Sequence, residues 1–385
     1  MTATLETGRA TDQGGDRLGV INGLRGLAIL SVFCYHLFSR FTMPGKLEWA
    51  TFGLDLKISD PTNNGWMGVN IFFVLSGFVL LLPYARGSRA MASPADTRGF
   101  YRRRFQRLMP LYYFGVLICA VFVWHPQPGS AEFFSDLFFM GTGTFNFVED
   151  LYYPPYNWVL WSLGLEIWFS VLFPLLVRLY LRFGIGRLLL SVMALSLATR
   201  IFGEFHYGGA FHQDPHLDPI KDSFIGRLDE FVLGMALCHL YVKRGALSAP
   251  LARISCLLGA AGLYSACWYY DRLWTGELSR NAVPFLYYLI SLGTFALAYG
   301  LLSLRRGALH LVFTCAPLQW LGMICYSLYF WHGVLILFLF KEPGHYDLIP
   351  LFANIAVILT VAALSYRYVE YGWKRETREL FRPAP

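Results

Sequence analysis

The chain has 385 residues, of which 56% are hydrophobic, 17% aromatic and only 15% charged, against about 25% charged in soluble domains. With a mean hydropathy of +0.44, this composition excludes a soluble globular domain and specifies an all-α polytopic membrane protein. The formal net charge of +7 implies no nucleic-acid partner, because the basic residues lie between apolar runs, where membrane orientation and anionic lipid account for them.

Residues 1–19 form a polar tail carrying Glu6, Asp12 and Asp16, and the apolar run after it is too long for a signal-peptide core and has no small-residue cleavage site, so it reads as an uncleaved anchor. Runs of about 17 to 25 apolar residues mark membrane helices. They fall near 20–39, 66–84, 108–124, 158–177, 188–203, 226–242, 250–270, 283–304, 316–340 and 349–369, about ten spans, with the fifth the weakest. The segment FFSDLFFMG at 133–141 is too short to cross and is expected to be re-entrant or interfacial. When the connections are assigned alternately, 23 of the 32 basic residues fall on the side of the N-terminus and 9 on the other. Both termini are therefore expected in the cytoplasm. The domain layout is a cytoplasmic tail 1–19, a single transmembrane domain 20–371 and a cytoplasmic tail 372–385.

The first span, VINGLRGLAILSVFCYHLFSR at 20–40, contains the ionisable residues Arg25 and His36, and intramembrane ionisable groups demand a reason. Eleven residues apart, they lie within roughly 20° of one azimuth of a helix and about 16 Å apart along it. Such a pair suits a long ligand, anionic at its head and reactive at its tail, a shape that acyl-coenzyme A has. The competing reading has Arg25 snorkelling to the headgroups and His36 satisfied by a neighbouring helix. In the second span, GVNIFFVLSGF at 68–78, the small residues Gly68, Ser76 and Gly77 permit either close helix packing or passage of a thin ligand arm.

The connection 85–107 ends FYRRRFQR. Its arginines Arg102, Arg103, Arg104 and Arg107 serve as a topogenic cluster and are also candidates to clamp phosphate, which arginine pairs bidentately. The following segment 125–157 has no basic residue and ends YYPPYNW, an aromatic and amide-rich stretch suited either to a polyhydroxylated acceptor or to an interfacial belt. Asn70, Tyr156, Asn157, Trp161 and His332 are the candidate acceptor-binding residues.

Span four, NWVLWSLGLEIWF, holds Glu166 in an otherwise apolar helix, where it is expected to orient His36, contact an acceptor hydroxyl or form a structural ion pair. The segment 204–222 gathers His206, His212 and His216 with Asp214 and Asp218, but their loose spacing argues for a solvated loop, and no metal is expected. Span six opens GRLDEFVLGM, whose Arg227, Asp229 and Glu230 suggest a local ion pair. Span nine, CYSLYFWHGVLI, carries the second intramembrane histidine, His332. The seven cysteines, odd in number and without C-x-x-C spacing, are expected to be buried free thiols.

Together, LRGLAIL with its R-x10-H spacing, GVNIFFVLSGF, YRRRFQRLMPLYY, WSLGLEIWF, RLDEFVLG and CYSLYFWH resemble the bacterial integral-membrane acyltransferase family 3, which O-acylates surface polysaccharides, peptidoglycan and macrolide sugars. Six weak motifs in order from residue 22 to 332 make a specific resemblance over nearly the whole chain. It implies a bacterial inner-membrane enzyme that takes acyl groups from acyl-coenzyme A as co-substrate on the cytosolic side. Catalysis then falls on His36, with Glu166 as the motif carboxylate. The family's basic positions fall on Arg25, Arg104 and Arg107, with Arg103 adjacent, and the residues themselves add Arg102 and Ser76 as donor-binding candidates. Where acidic residues often stand in the family, this chain has Asn22, Asn70 and Ile167. The chain reaches residue 385 soon after its last span, so any soluble domain that completes transfer is expected on a separate partner. The acceptor is expected to be a glycan or a glycosylated small molecule. A lipid acceptor, or a transporter or flippase using the same charged residues as a path, stays open on the residues alone.

Overall fold

The protein is described here from a computed structural model that covers residues 4–39, 63–123, 129–154, 156–207, 218–278, 280–340 and 348–371. Its described regular structure is helical throughout. The α-helices are α1 Thr4–Phe38, α2 Gly68–Ala85, α3 Pro94–Phe122, α4 Ala131–Thr142, α5 Leu160–Phe183, α6 Ile185–Tyr207, α7 Phe224–Arg244, α8 Ala249–Trp274, α9 Val283–Ser303, α10 Ala308–Thr314, α11 Ala316–Leu339 and α12 Leu348–Ser365, the last continuing into a π-helical turn at Tyr366–Glu370. Among the described residues nine helical segments are long and apolar enough to cross a membrane.

Each of the ten expected spans is helical. The sixth, α7, falls outside the nine because Arg227, Asp229, Glu230, Lys243 and Arg244 lie within its 21 residues. The 12-residue α4 is short, as its sequence requires; the Ser130 hydroxyl caps its start and Gly143, at φ +71°, ends it. Two helices begin well before their expected spans: α1 starts at Thr4 rather than near 20, and α3 starts at Pro94 rather than near 108, which makes the FYRRRFQR stretch helical. For α3 the cause is local: the Ser93 side chain accepts from the Asp96 amide while the Asp96 carboxylate accepts from the Ser93 amide, and Pro94 stands in the first turn. That capping box starts the helix fourteen residues before the apolar run.

Helix α1 runs through the bundle and packs on α2, α9, α10 and α11. Backbone-to-backbone approach through glycines sets these contacts, as expected where no apolar solvent difference drives helix association. A Cβ on Gly26 would stand 2.1 Å from the Leu318 carbonyl oxygen, and one on Gly322 would stand 2.0 Å from that of Asn22. The α2–α7 contact is built the same way, with Gly77 against Phe231 and Gly234 against Val74. Of the small residues in span two, Gly68 and Gly77 therefore serve packing, while Ser76 is left facing a cavity.

Candidate active site

The cavity, of about 180 Å³, lies between α1, α2, α3, α5 and α11. Residues one helical turn apart share a face, and the arginines of α3 divide accordingly: Arg104 and Arg107 line the cavity, whereas Arg102 and Arg103 are exposed. Arg104 Nη2 donates to Glu166 Oε1 at 2.6 Å and its Nε to Ser170 Oγ at 3.0 Å. Arg107 is ion-paired with Glu370 on the π-helical turn, and its guanidinium lies 4.9 Å from the centre of the Tyr371 ring. The buried Glu370 carboxylate also accepts from Ser327 Oγ at 2.8 Å.

Arg25 enters the same cavity from α1 and donates to Cys325 Sγ at 3.1 Å. Among the described residues it forms no ion pair with a carboxylate, so three guanidinium groups meet only two carboxylates. The excess positive charge favours an anionic guest, and arginine is the side chain best suited to hold phosphate. Ser76 lies on the cavity wall together with the apolar side chains Phe72, Leu75 and Leu80.

At another point of the lining, the Ser162 hydroxyl and the Tyr329 phenol are hydrogen-bonded at 2.5 Å. The Tyr329 ring packs against Phe72, with centroids 6.1 Å apart, and against His332, 5.5 Å apart. His332 is fully buried, and its Nε2 is 2.9 Å from Nδ1 of the half-buried His36. The two expected intramembrane histidines, 296 residues apart in sequence, are thus in direct contact. Trp158 and Tyr35 flank the His36 ring, with centroids 5.8 and 5.0 Å away. Hence the hydrogen-bond partner of His36 is His332, and that of Glu166 is Arg104.

Neither histidine is among the residues lining the cavity, and the remaining expected acceptor-side residues do not line it either. Asn70 Nδ2 donates to Glu230 Oε1 at 3.1 Å, Asn157 Nδ2 donates to the Phe330 carbonyl at 3.0 Å, Trp161 packs on Phe73, and Tyr156 is buried. Asn70 belongs to a buried ionic network in which Arg227 pairs with Asp222 and Glu230, and Arg200 with Asp229 at 2.6 Å. The ion pair expected within the RLDE segment is one part of this larger set. In the turn before α7, burial raises the Asp218 carboxyl above its ordinary value, opposed by the Lys221 amide and ammonium. His212 and His216 lie outside the described residues. All seven cysteines are free, and five of them are buried.

Sequence reasoning did not single out Ser162, Tyr326, Tyr329, Cys325 or Glu370. Four of these stand inside the quoted segments WSLGLEIWF and CYSLYFWH, so helical spacing from Glu166 and His332 carried a signal for them. Glu370 had none: its role depends on the π-helical turn that brings it under α3.

Residues 18–367 match the family model described as an acyltransferase domain, Acyl_transf_3. The chain belongs to this acyltransferase family. Among curated proteins it is similar to "Putative peptidoglycan O-acetyltransferase YrhL" of Bacillus subtilis, with 28% identity over 94% of this chain and 56% of the relative. It is also similar to the peptidoglycan O-acetyltransferase OatA of Listeria monocytogenes, with 26% identity over 91% of this chain and 54% of the relative. The chain spans little more than half the length of these relatives. No solved structure matches it. Family membership and the apolar helices make it a multi-pass membrane protein of this acyltransferase family.

Proposed function

We propose that this protein transfers a short acyl group, such as acetyl, from acyl-coenzyme A to a hydroxyl of a glycan or glycosylated acceptor, with His36 as general base. The observation that carries the reading is the convergence of Arg25, Arg104 and Arg107 on one cavity whose lining includes Tyr329, which packs on His332, the hydrogen-bond partner of His36. Coenzyme A presents phosphates for the guanidinium groups, and its pantetheine arm runs along the apolar wall beside Ser76 in this reading. His36 takes the proton of the acceptor hydroxyl as the oxygen attacks the thioester carbonyl. The carbon–oxygen bond forms, the carbon–sulfur bond breaks, and the proton passes to the departing thiolate. The named activities of YrhL and OatA support a peptidoglycan-type glycan as acceptor.

The test uses purified protein in nanodiscs, radiolabelled acetyl-coenzyme A and muropeptide or oligosaccharide acceptors. Wild type is expected to transfer label, and His36→Ala to lower kcat by about 10²- to 10⁴-fold, the usual worth of a general base, while retaining coenzyme A binding. Full transfer by a well-folded His36→Ala protein would overturn the role of His36. Absence of any acceptor-dependent transfer by wild type would overturn the reaction.

A further inference from the structure

We infer that His332 is a positioning residue that fixes the tautomer of His36, leaving Nε2 of His36 as the basic nitrogen. The inference rests on the proposed reaction for its consequence, but on hydrogen-bond geometry for its content. His332 Nδ1 lies 2.8 Å from the Tyr329 carbonyl oxygen and 3.1 Å from that of Leu328. Carbonyl oxygens only accept hydrogen bonds, so Nδ1 must carry the proton. A neutral imidazole holds one proton, and Nε2 of His332 is therefore a lone-pair acceptor.

That acceptor is 2.9 Å from His36 Nδ1. The contact is a hydrogen bond only if His36 Nδ1 carries a proton and donates it, which leaves the lone pair of His36 on Nε2. Burial enforces the assignment. His332 has no solvent-exposed surface, and among the described residues no carboxylate bonds either ring; the groups facing the pair are Phe33, Tyr35, Trp158 and Tyr329. A free imidazole divides its proton between both nitrogens. Here two backbone carbonyls of α11, relayed through His332, select one.

The chemical consequence concerns the transition state. When His36 Nε2 accepts a proton, its Nδ1–H still points at the His332 lone pair, so the imidazolium keeps its hydrogen bond and the ring does not turn. A histidine oriented by another group's acceptor is a recurrent feature of general bases. Here the orienting group is a neutral imidazole, which holds geometry without adding charge inside the membrane.

The test combines kinetics with a direct reading of the tautomer. His332→Leu removes the acceptor and is expected to lower kcat by about 10²-fold with the KM for acetyl-coenzyme A unchanged. His332→Gln presents an amide oxygen where Nε2 stood and is expected to recover at least tenfold of that loss. Equal loss in both variants, or an effect confined to KM, would overturn the positioning role. Nitrogen-15 NMR of wild-type protein labelled at histidine, with the His36 signal identified by its loss in His36→Ala, reads the tautomer even if His332→Leu does not fold. A protonated Nδ1 is expected, and a protonated Nε2 would overturn the inference. The NMR result stands whether or not acyl transfer is detected, so failure of the reaction and failure of the tautomer assignment are separable.

Discussion

At the scale of single residues, the three cavity arginines are not equivalent, and their partners determine how each contributes. Glu166 neutralises Arg104 and Glu370 neutralises Arg107, whereas Arg25 donates to the Cys325 thiol and, among the described residues, forms no ion pair with a carboxylate. Arg25→Gln is therefore expected to cause the larger loss of donor affinity, about 10- to 100-fold, corresponding to the roughly 1.5–3 kcal/mol of a charged hydrogen bond. Glu166→Gln removes the charge that holds Arg104 but touches neither histidine. It is expected to change donor KM while leaving kcat within about tenfold. Isothermal titration with coenzyme A and steady-state kinetics on the two variants check both statements; a large kcat loss in Glu166→Gln with KM unchanged would return that carboxylate to the chemical step. Arg25, His36 and Glu166 were legible in the sequence because a charge in an apolar run is conspicuous. Which residues pair with them was not legible. Cys325, His332 and Arg104 lie 300, 296 and 62 residues away from them, and helix pairing over such separations leaves no local periodicity.

At the scale of elements, membrane helices were recognisable from length and hydropathy, and the misjudged boundary of α3 had a readable cause, the S-P-x-D capping box at 93–96. What the apolar pattern could not convey is which glycines are structural contacts. Gly322 and Gly186 are both helical glycines, yet a Cβ on Gly322 would overlap the Asn22 carbonyl at 2.0 Å, while one on Gly186 meets nothing within 4 Å. Gly322→Ala is expected to push α1 away from α11, destabilising the protein by about 1–3 kcal/mol as overpacking does. It should also reduce transfer, because Arg25 and His36 on α1 face Cys325 and His332 on α11. Gly186→Ala is expected to be neutral or stabilising by up to about 1 kcal/mol, the gain in helix propensity. Thermal unfolding of the two variants in one detergent gives the comparison, and similar midpoints would show that the α1–α11 approach is not tight.

At the scale of the whole molecule, the orientation in the membrane depends on α7. If only the nine apolar segments crossed, the termini would lie on opposite faces; a crossing by α7 makes ten and returns the C-terminus to the side of the N-terminus. Three observations favour the crossing. The 21 residues of α7 span about 31 Å, close to the roughly 30 Å hydrocarbon thickness. Arg227, Asp229 and Glu230, which lower its hydropathy, are buried and paired with Asp222 and Arg200, so the charges face protein and not lipid, as intramembrane charges must. Its last turn carries Lys243 and Arg244, matching the basic face inferred from the 23-to-9 distribution of Lys and Arg. Reporter tags at residues 1 and 385 are therefore both expected to be shielded from protease in intact cells and cleaved after permeabilisation. Cleavage of the C-terminal tag alone in intact cells would mean that α7 does not cross. Arg200→Gln should then distinguish an ion network that permits the crossing from one that only decorates it. Leaving Asp229 buried and unpaired is expected to cost about 3–5 kcal/mol, and to raise the fraction of molecules with an accessible C-terminus.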